Sequence, residues 1–543
     1  MRFTYSSYPI VVRLERLVVP AFFGLLLLLG IALHRDYGIS WDELTDRQNG
    51  QINLKYVGQL VAPDLARRAA SYNDIPALKG HTDNDHGVLF EMLSSGVGLL
   101  LPHGDSVAHY HARHLLIFLF FWVGCLAIYG LAKLRFQSWQ WGLLAAVCLV
   151  LSPRFFAEAF FNGKDIVFMA LFTLAMYTLV RFLHRPTAGR MLLHALATAA
   201  AIDVRMPGLL LVGYTLLLLL MGSYQSSPTL PVRRWLLFGL VYLVATAAFV
   251  VVGWPYLWEA PINHFLAAYQ GLSSYAATAR VRNLYFGHWF VHSTPWHYVP
   301  VWIVITTPVP YLIAAVTGLI VSLRRLGMAR LPVFERQFDL LVLLWLPGAL
   351  SYIIARHILL YNAWRLVYFV YPALLLLAVQ GAYQLTVAAR RRHRLRYAAR
   401  GLLAAGSVGL LSTLLTMIQM HPQEQVYFSF LPPRITERLF DRDYWGLSYY
   451  QGLQWLLAHD ASPALTVSTP ATPPLFGNAL LFSPVERARV HYLPQPTEAQ
   501  YFITNYRHHP QPYPDSVGRE IYTVCADGLK ILSIFERLPN KPR

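Results

Sequence analysis

Long apolar runs separated by short polar stretches dominate the chain, and their length sets its class. A helix crosses a bilayer in ~20 residues. Apolar runs of roughly that order recur near 17–33, 107–132, 139–157, 166–183, 191–203, 206–222, 235–253, 299–323, 339–355, 366–387 and 400–419. The pattern predicts an α-helical polytopic membrane protein with about eleven transmembrane helices, of which the fifth is short. Three regions interrupt it. In 34–106, the segment 47–60 is amphipathic, and 88–101 is apolar but too short to span, which fits a helix lying in the interface. Region 254–298 is rich in Trp, Tyr and His, and aromatic side chains favour the membrane–water boundary. In 420–543 the apolar runs shrink to strand length. A helix is expected at 449–459 and strands at 464–468, 487–493 and 500–505. Asp527-Gly528 between apolar runs 520–525 and 529–535 marks a hairpin. The division that follows is a transmembrane region, 1–419, with outer loops 34–106 and 254–298, and a small α/β extracytoplasmic domain, 420–543.

Composition supports the membrane reading. Of 543 residues, 56% are hydrophobic and only 13% charged, about half the ~25% charged share of soluble domains. A formal charge of +17 would suggest nucleic acid in a soluble protein. Here the bases sit in short loops between apolar runs, and no nucleic-acid motif appears, so a nucleic-acid partner is excluded. Lys133/Arg135, Arg181/Arg185/Arg190, Arg233/Arg234, Arg324/Arg325/Arg330 and Arg390 to Arg396 all fall on one side if the first helix runs outward. The positive-inside rule then puts the N-terminus in the cytoplasm and the C-terminal tail outside. The first run resembles a signal peptide in charge, but its apolar core exceeds the usual 7–15 residues and no small-residue cleavage site follows, so a retained anchor is expected. Three cysteines, Cys125 and Cys148 in apolar runs and Cys525 in the tail, build no disulfide framework.

The candidate chemistry gathers on the outer face. Asp42 and Glu43 follow the first span. Adjacent side chains cannot both point the same way, so only one of the pair is expected to face the site. Asp165, next to Lys164, opens the fourth helix. A helix cap is the plain reading of Asp165, and an interfacial snorkelling residue that of Lys164. Arg205 lies between the fifth and sixth spans, with Asp203 as a candidate structural partner. Arg356 and Arg365 bracket a short outward loop, where positive-inside statistics disfavour arginine. A guanidinium grips phosphate oxygens bidentately, so an anionic ligand accounts for them, as does pairing with a loop carboxylate. The candidate set is Asp42, Glu43 and Asp165 for catalysis and Lys164, Arg205, Arg356 and Arg365 for phosphate. His81 and His86, with Asp83 and Asp85, have the residue types of a metal site, but no catalytic motif frames them. No metal or other cofactor is expected.

Trp41-Asp42-Glu43, Asn162-Gly-Lys-Asp165 and Arg205-x-Pro-Gly208 together resemble the GT-C membrane glycosyltransferases, in the protein O-mannosyltransferase and lipid A aminoarabinose-transferase branch. Leu360-Tyr-Asn-Ala-Trp-Arg365, Tyr368-Phe-Val-Tyr-Pro372, His421-Pro-Gln-Glu-Gln-Val-Tyr-Phe428 and Asp443-Tyr-Trp-Gly-Leu-Ser448 look like a bacterial subgroup of that branch. The resemblance implies a GT-C fold in the cell inner membrane with an active site facing the periplasm. It also implies a polyprenyl-phosphate sugar donor, an acceptor hydroxyl on a lipid, glycan or protein, and the first acid of the pair, Asp42, as catalytic base. The second acidic loop carries onto Asp165. Lys164 beside Asp165 and the histidines of the first loop depart from the family. Two other classes remain open on the residues. A lipid-linked sugar flippase would place charges at mid-membrane in repeat-related broken helices. A polysaccharide polymerase or ligase would use loop bases such as Arg280, Arg282, His288 and His292.

Overall fold

The computed structural model describes residues 9–68, 73–84, 86–224, 231–278, 281–328, 331–391 and 395–537. Asp85, Arg280, Arg330, Arg392, His393 and Arg394 lie outside the described residues. Eight of the described helices are long and apolar enough to cross a membrane, or nine if Trp139–Val150 and Pro153–Phe161 form one bent span. Ala188–Ile202 and Met206–Gly222 are apolar but shorter.

Two of the expected runs, 139–157 and 299–323, break at prolines. The run 139–157 bends by 70°, because Ser152 is extended before Pro153, which opens the next helix. The run 299–323 breaks in the same way: Thr307 is extended before Pro308, leaving Tyr298–Thr306 and Val309–Leu326. A proline lacks an N–H and pushes the preceding residue out of the helical region, so each break follows from local sterics. Segments 47–60 and 88–101 form Glu43–Val61 and Leu89–Gly98, neither of which meets the spanning criterion.

Helices Asp165–His184 and Arg365–Arg391 are mostly buried, whereas Leu14–Leu33, Val232–Gly253 and Arg396–Met420 leave most of their apolar length bare. Bare apolar helices with satisfied backbones are what a bilayer requires of its outer ring. The inner helices pack on aromatics, with Phe118, Phe160, Phe172, Trp345 and Tyr368 all almost fully buried. Val309–Leu326 and Tyr371–Arg391 approach backbone to backbone: a Cβ on Gly318 would lie 1.9 Å from the Leu377 carbonyl oxygen, and one on Gly381 2.0 Å from that of Ala314. Small residues at such crossings let membrane helices pack closely.

The two ends of the bundle differ chemically. At the end where the first helix begins, Lys133 pairs with Glu15, and Arg135 and Arg325 share Glu335 and Asp339. The opposite end carries the described parts of 34–106, 254–298 and the tail. There β1 (Asn283–Tyr285) and β2 (His288–Phe290) form a short hairpin. The tail folds as a five-stranded sheet of β3 (Leu465–Ser468), β4 (Val490–Tyr492), β5 (Tyr501–Thr504), β6 (Arg519–Ala526) and β7 (Leu529–Glu536), in the order β4-β3-β5-β7-β6. β3 runs parallel to β4 and β5, and β7 antiparallel to β5 and β6. The expected hairpin turns at Asp527 and Gly528, both at positive φ (48° and 74°), the backbone that suits strand twist. The helix Ser448–His459 packs on this sheet, and the Asn478 side chain bonds both Ile39 backbone groups, at 2.9 and 3.1 Å. The tail is thereby fastened to the loop that carries Asp42.

Candidate active site

Asp42 stands at the cap position of Glu43–Val61, yet its side chain makes no cap bond there. It turns instead to Arg365, whose Nη1 lies 2.6 Å from Asp42 Oδ2. Glu43 turns the other way. One of its oxygens accepts the Ser40 N–H at 2.7 Å; the other lies 3.4 Å from Arg113 Nε and 3.2 Å from His114 Nε2. The Asp42 side chain keeps 30% of its surface and Glu43 only 1%, so of the acidic pair only Asp42 is presented to solvent.

Asp165 opens its helix behind Lys164 in the cap position, and Asn162 Oδ1 accepts the Asp165 N–H at 2.8 Å. The cap reading of Asp165 is thus corrected, since its carboxylate is occupied elsewhere. It sits 2.6 Å from Arg205 Nη2 and 3.7 Å from Arg365 Nη1. The expected Arg205–Asp203 pairing is also corrected, because Arg205 reaches across to Asp165 and the buried Asp203 Oδ1 has no partner among the described residues. Asp42, Arg365, Asp165 and Arg205 form a chain of alternating charge. Lys164 extends it sideways, 2.7 Å from Asp46 and 3.3 Å from His86 Nε2. Arg356 takes no part. It is exposed at the end of Ala349–Ala355 and forms no ion pair among the described residues. Arg365 by contrast is buried, its guanidinium 4.5 Å from the centre of the Trp445 ring.

The electrostatics separate the acids. Burial pushes Asp42 up, but Arg365, Lys164 and Arg205 outweigh it and hold the carboxyl at about 2. Burial raises Asp46 to about 7, with Glu91 and Asp42 adding to it against Lys164 and Arg113. Lys164 is held charged, its burial outweighed by Asp46 and Asp42. The result is an ionised, partly open carboxylate flanked by cations, of which Arg205 and Lys164 each keep about a fifth of their surface (19% and 20%).

Sequence reasoning missed the support beneath this cluster. The fully buried Arg113 holds Glu91 at 2.5 Å and Asp46 and Glu43 each at 3.4 Å. An arginine inside an apolar run is costly and flags itself, and Asp46 falls one helical turn from Glu43, so both signals were present. His81 Nε2 lies 2.8 Å from Asn49 Oδ1, and Asp83 accepts from Asn49 Nδ2 at 2.5 Å. Among the described residues no set of three His, Cys, Asp or Glu side chains is placed to hold a metal. Arg282, His288 and His292 are exposed on or beside the β1–β2 hairpin and are absent from the ion-pair cluster.

Residues 109–258 match the model of the dolichyl-phosphate-mannose-protein mannosyltransferase family. The matched segment contains Arg113, Lys164, Asp165 and Arg205, but not Asp42 or Arg365. No curated protein matches the chain in sequence. Among solved structures, ArnT from Cupriavidus metallidurans bound to undecaprenyl phosphate is similar at 14% identity and a TM-score of 0.43, over 95% of this chain and 97% of that one. Oligosaccharyltransferase AglB from Archaeoglobus fulgidus, in complex with an inhibitory peptide and a dolichol-phosphate, is similar at 10% identity and a TM-score of 0.43, over 78% of this chain. This chain spans about three fifths (61%) of the length of AglB. The mycobacterial arabinofuranosyltransferase AftD is similar at 14% identity and a TM-score of 0.35, over 83% of this chain and 35% of that one. The family match covers 150 of the 543 residues, on the segment that carries Asp165 and Arg205.

Proposed function

We propose that this protein moves a sugar from a polyprenyl-phosphate donor to a hydroxyl-bearing lipid, glycan or protein acceptor, at the periplasmic face of the inner membrane, by an inverting displacement with Asp42 as base. The observation that carries the reading is the Asp42–Arg365 pair at 2.6 Å. It puts an ionised carboxylate beside a guanidinium at the outer end of the bundle, as a displacement with a phosphate leaving group requires. A carboxyl held at about 2 is a weak base, because proton transfer is most efficient near the working pH. A donor phosphate competes for Arg365. As Arg365 turns to that phosphate, the field holding Asp42 down weakens and its basicity rises as the leaving group is gripped.

The transition state then has two charged ends. The sugar is oxocarbenium-like at its anomeric carbon. Negative charge grows on the departing phosphate, where Arg365, Arg205 and Lys164 stabilise it more than they stabilise the bound donor. Asp42 takes the acceptor proton. Asp165 holds Arg365 and Arg205 side by side. The name of the matched family, which specifies a lipid-phosphate sugar, supports the donor class.

Purified protein in detergent, offered a panel of polyprenyl-phosphate sugars with an acceptor hydroxyl, is expected to release lipid phosphate. Movement of lipid across sealed vesicles with no sugar ever released would establish the flippase reading instead. The orientation has its own measurement: single cysteines placed at Arg391 and Thr497, both exposed, are expected to be labelled from the cytoplasmic and periplasmic sides respectively. A cytoplasmic Thr497 would remove the periplasmic site.

A further inference from the structure

Besides Trp445, which stacks on Arg365, the tail domain reaches the candidate site through Arg507. After β5 the chain turns at Tyr506, at a φ of 61°. The turn is held by Asn505, which donates to the Asp443 carbonyl at 2.8 Å and accepts the Arg507 N–H at 3.3 Å. Arg507 Nη2 then donates to Asn362 Oδ1 at 3.1 Å, Nη1 donates to the Tyr444 carbonyl, and the guanidinium lies 4.8 Å from the centre of the Trp41 ring. Among the described residues Arg507 forms no ion pair within 4 Å; neutral acceptors and an aromatic face contact it, while the Asp441 carboxylate acts on it from farther off.

Both anchors matter for what they precede. Trp41 is bonded to Asp42 in the chain, and its N–H donates to the Trp445 carbonyl at 3.1 Å. Asn362 and Ala363 adopt positive φ, 54° and 61°, a conformation that costs a non-glycine residue and persists only where its surroundings impose it. That strained pair leads directly into Trp364 and Arg365. Arg507 thus ties down the chain just before each partner of the Asp42–Arg365 pair.

We propose that Arg507 is a positioning residue, by which the tail domain sets the distance between Asp42 and Arg365. It acts through Trp41 and Asn362 and touches neither reacting carboxylate nor phosphate. The proposal rests on the glycosyl-transfer reading, and its test separates the two. In the full-length protein in detergent, Arg507→Ala is expected to lower kcat about 10- to 100-fold, the loss that follows from misplacing a reacting group by ~1 Å, while KM for the donor changes little. Arg507→Lys keeps the charge but loses the planar fork, so rescue is partial. Asn362→Ala acts on the same tie, so the double variant is expected to be no slower than Arg507→Ala alone. Hydrogen exchange in 356–365 is expected to accelerate in both Arg507 variants, a readout independent of activity. Wild-type kcat in Arg507→Ala, full additivity with Asn362→Ala, or unchanged exchange in 356–365 would each overturn the proposal. A wild-type protein that transfers no sugar, with accelerated exchange in the variants, would instead sink the enzymatic reading and leave the tie standing.

Discussion

Arg365 and Asp42 stand 323 residues apart in the chain and 2.6 Å apart in space. The pair explains two facts at once. Asp42 stays ionised although it is largely enclosed, and the buried Arg365 guanidinium has its counter-charge. Each pays the desolvation of the other. Asp165 joins them from a third segment, 3.7 Å from the same Arg365 nitrogen, so the guanidinium bridges the loop after the first helix and the start of Asp165–His184.

Asp42→Asn keeps the size of the side chain and removes its proton affinity. Where chemistry limits the rate, turnover is expected to fall ~10²–10⁴-fold, the contribution of a positioned base, with donor binding nearly unchanged. Sugar-transfer assays beside binding of undecaprenyl phosphate read both quantities. A fully active Asp42→Asn variant, with activity lost instead in Glu43→Gln, would move the role to Glu43.

The arginines are expected to rank Arg365, then Arg205, then Arg356. Arg365→Ala removes the partner of Asp42 and of Asp165, whereas Arg205→Ala leaves Asp165 with Arg365. Charge-assisted hydrogen bonds are roughly twice as strong as neutral ones, so donor KM is expected to rise most in Arg365→Ala and less in Arg205→Ala. Arg356→Ala, at an exposed position outside the cluster, is expected to match wild type in the same kinetics. A rise in donor KM for Arg356→Ala alone would place the phosphate elsewhere.

Arg113 supports the fold around the site. Arg113→Met strands the buried Glu91 and leaves Asp46 with Lys164 alone and Glu43 with His114 and the Ser40 N–H. Removing one side of a buried ion pair costs about 3–5 kcal/mol, so a lower melting temperature in detergent is expected for this variant. An unchanged melting temperature would mean that the three acids are neutral in the folded protein.

His421 fastens the exit of the last helix to the exit of the first. Its Nε2 lies 2.9 Å from Asp36 Oδ2 and its Nδ1 2.9 Å from Glu424 Oε1, while Tyr37 donates to Glu424 at 3.2 Å. Burial pulls the imidazole down, but Glu424 and Asp36 outweigh it and raise His421 above its ordinary 6.5. A raised folded value means the latch is at full strength below 6.5 and weakens as pH climbs through the folded value. Thermal melts across that window are expected to drop for wild type and to be flatter for His421→Gln. Parallel curves for the two proteins would remove His421 from the pH dependence.

Much of the architecture was legible in the chain because its signals are local. Apolar runs long enough to span reveal the bundle, alternating shorter runs reveal β3 to β7, and Asp527-Gly528 reveals the hairpin, each within a window of a few turns or strands. Even the breaks within 139–157 and 299–323 have a local cause in Pro153 and Pro308. The candidate site is different in kind, since ion pairing depends on which distant segments fold together. Nothing near Arg205 in sequence says that it prefers Asp165 to the much closer Asp203. Nothing near Arg356 and Arg365 says that only the second is buried. Tertiary packing decided these matters, because a charge taken from water must find its counter-charge wherever the fold brings one, and here the fold brings Arg365 to Asp42 and Arg205 to Asp165.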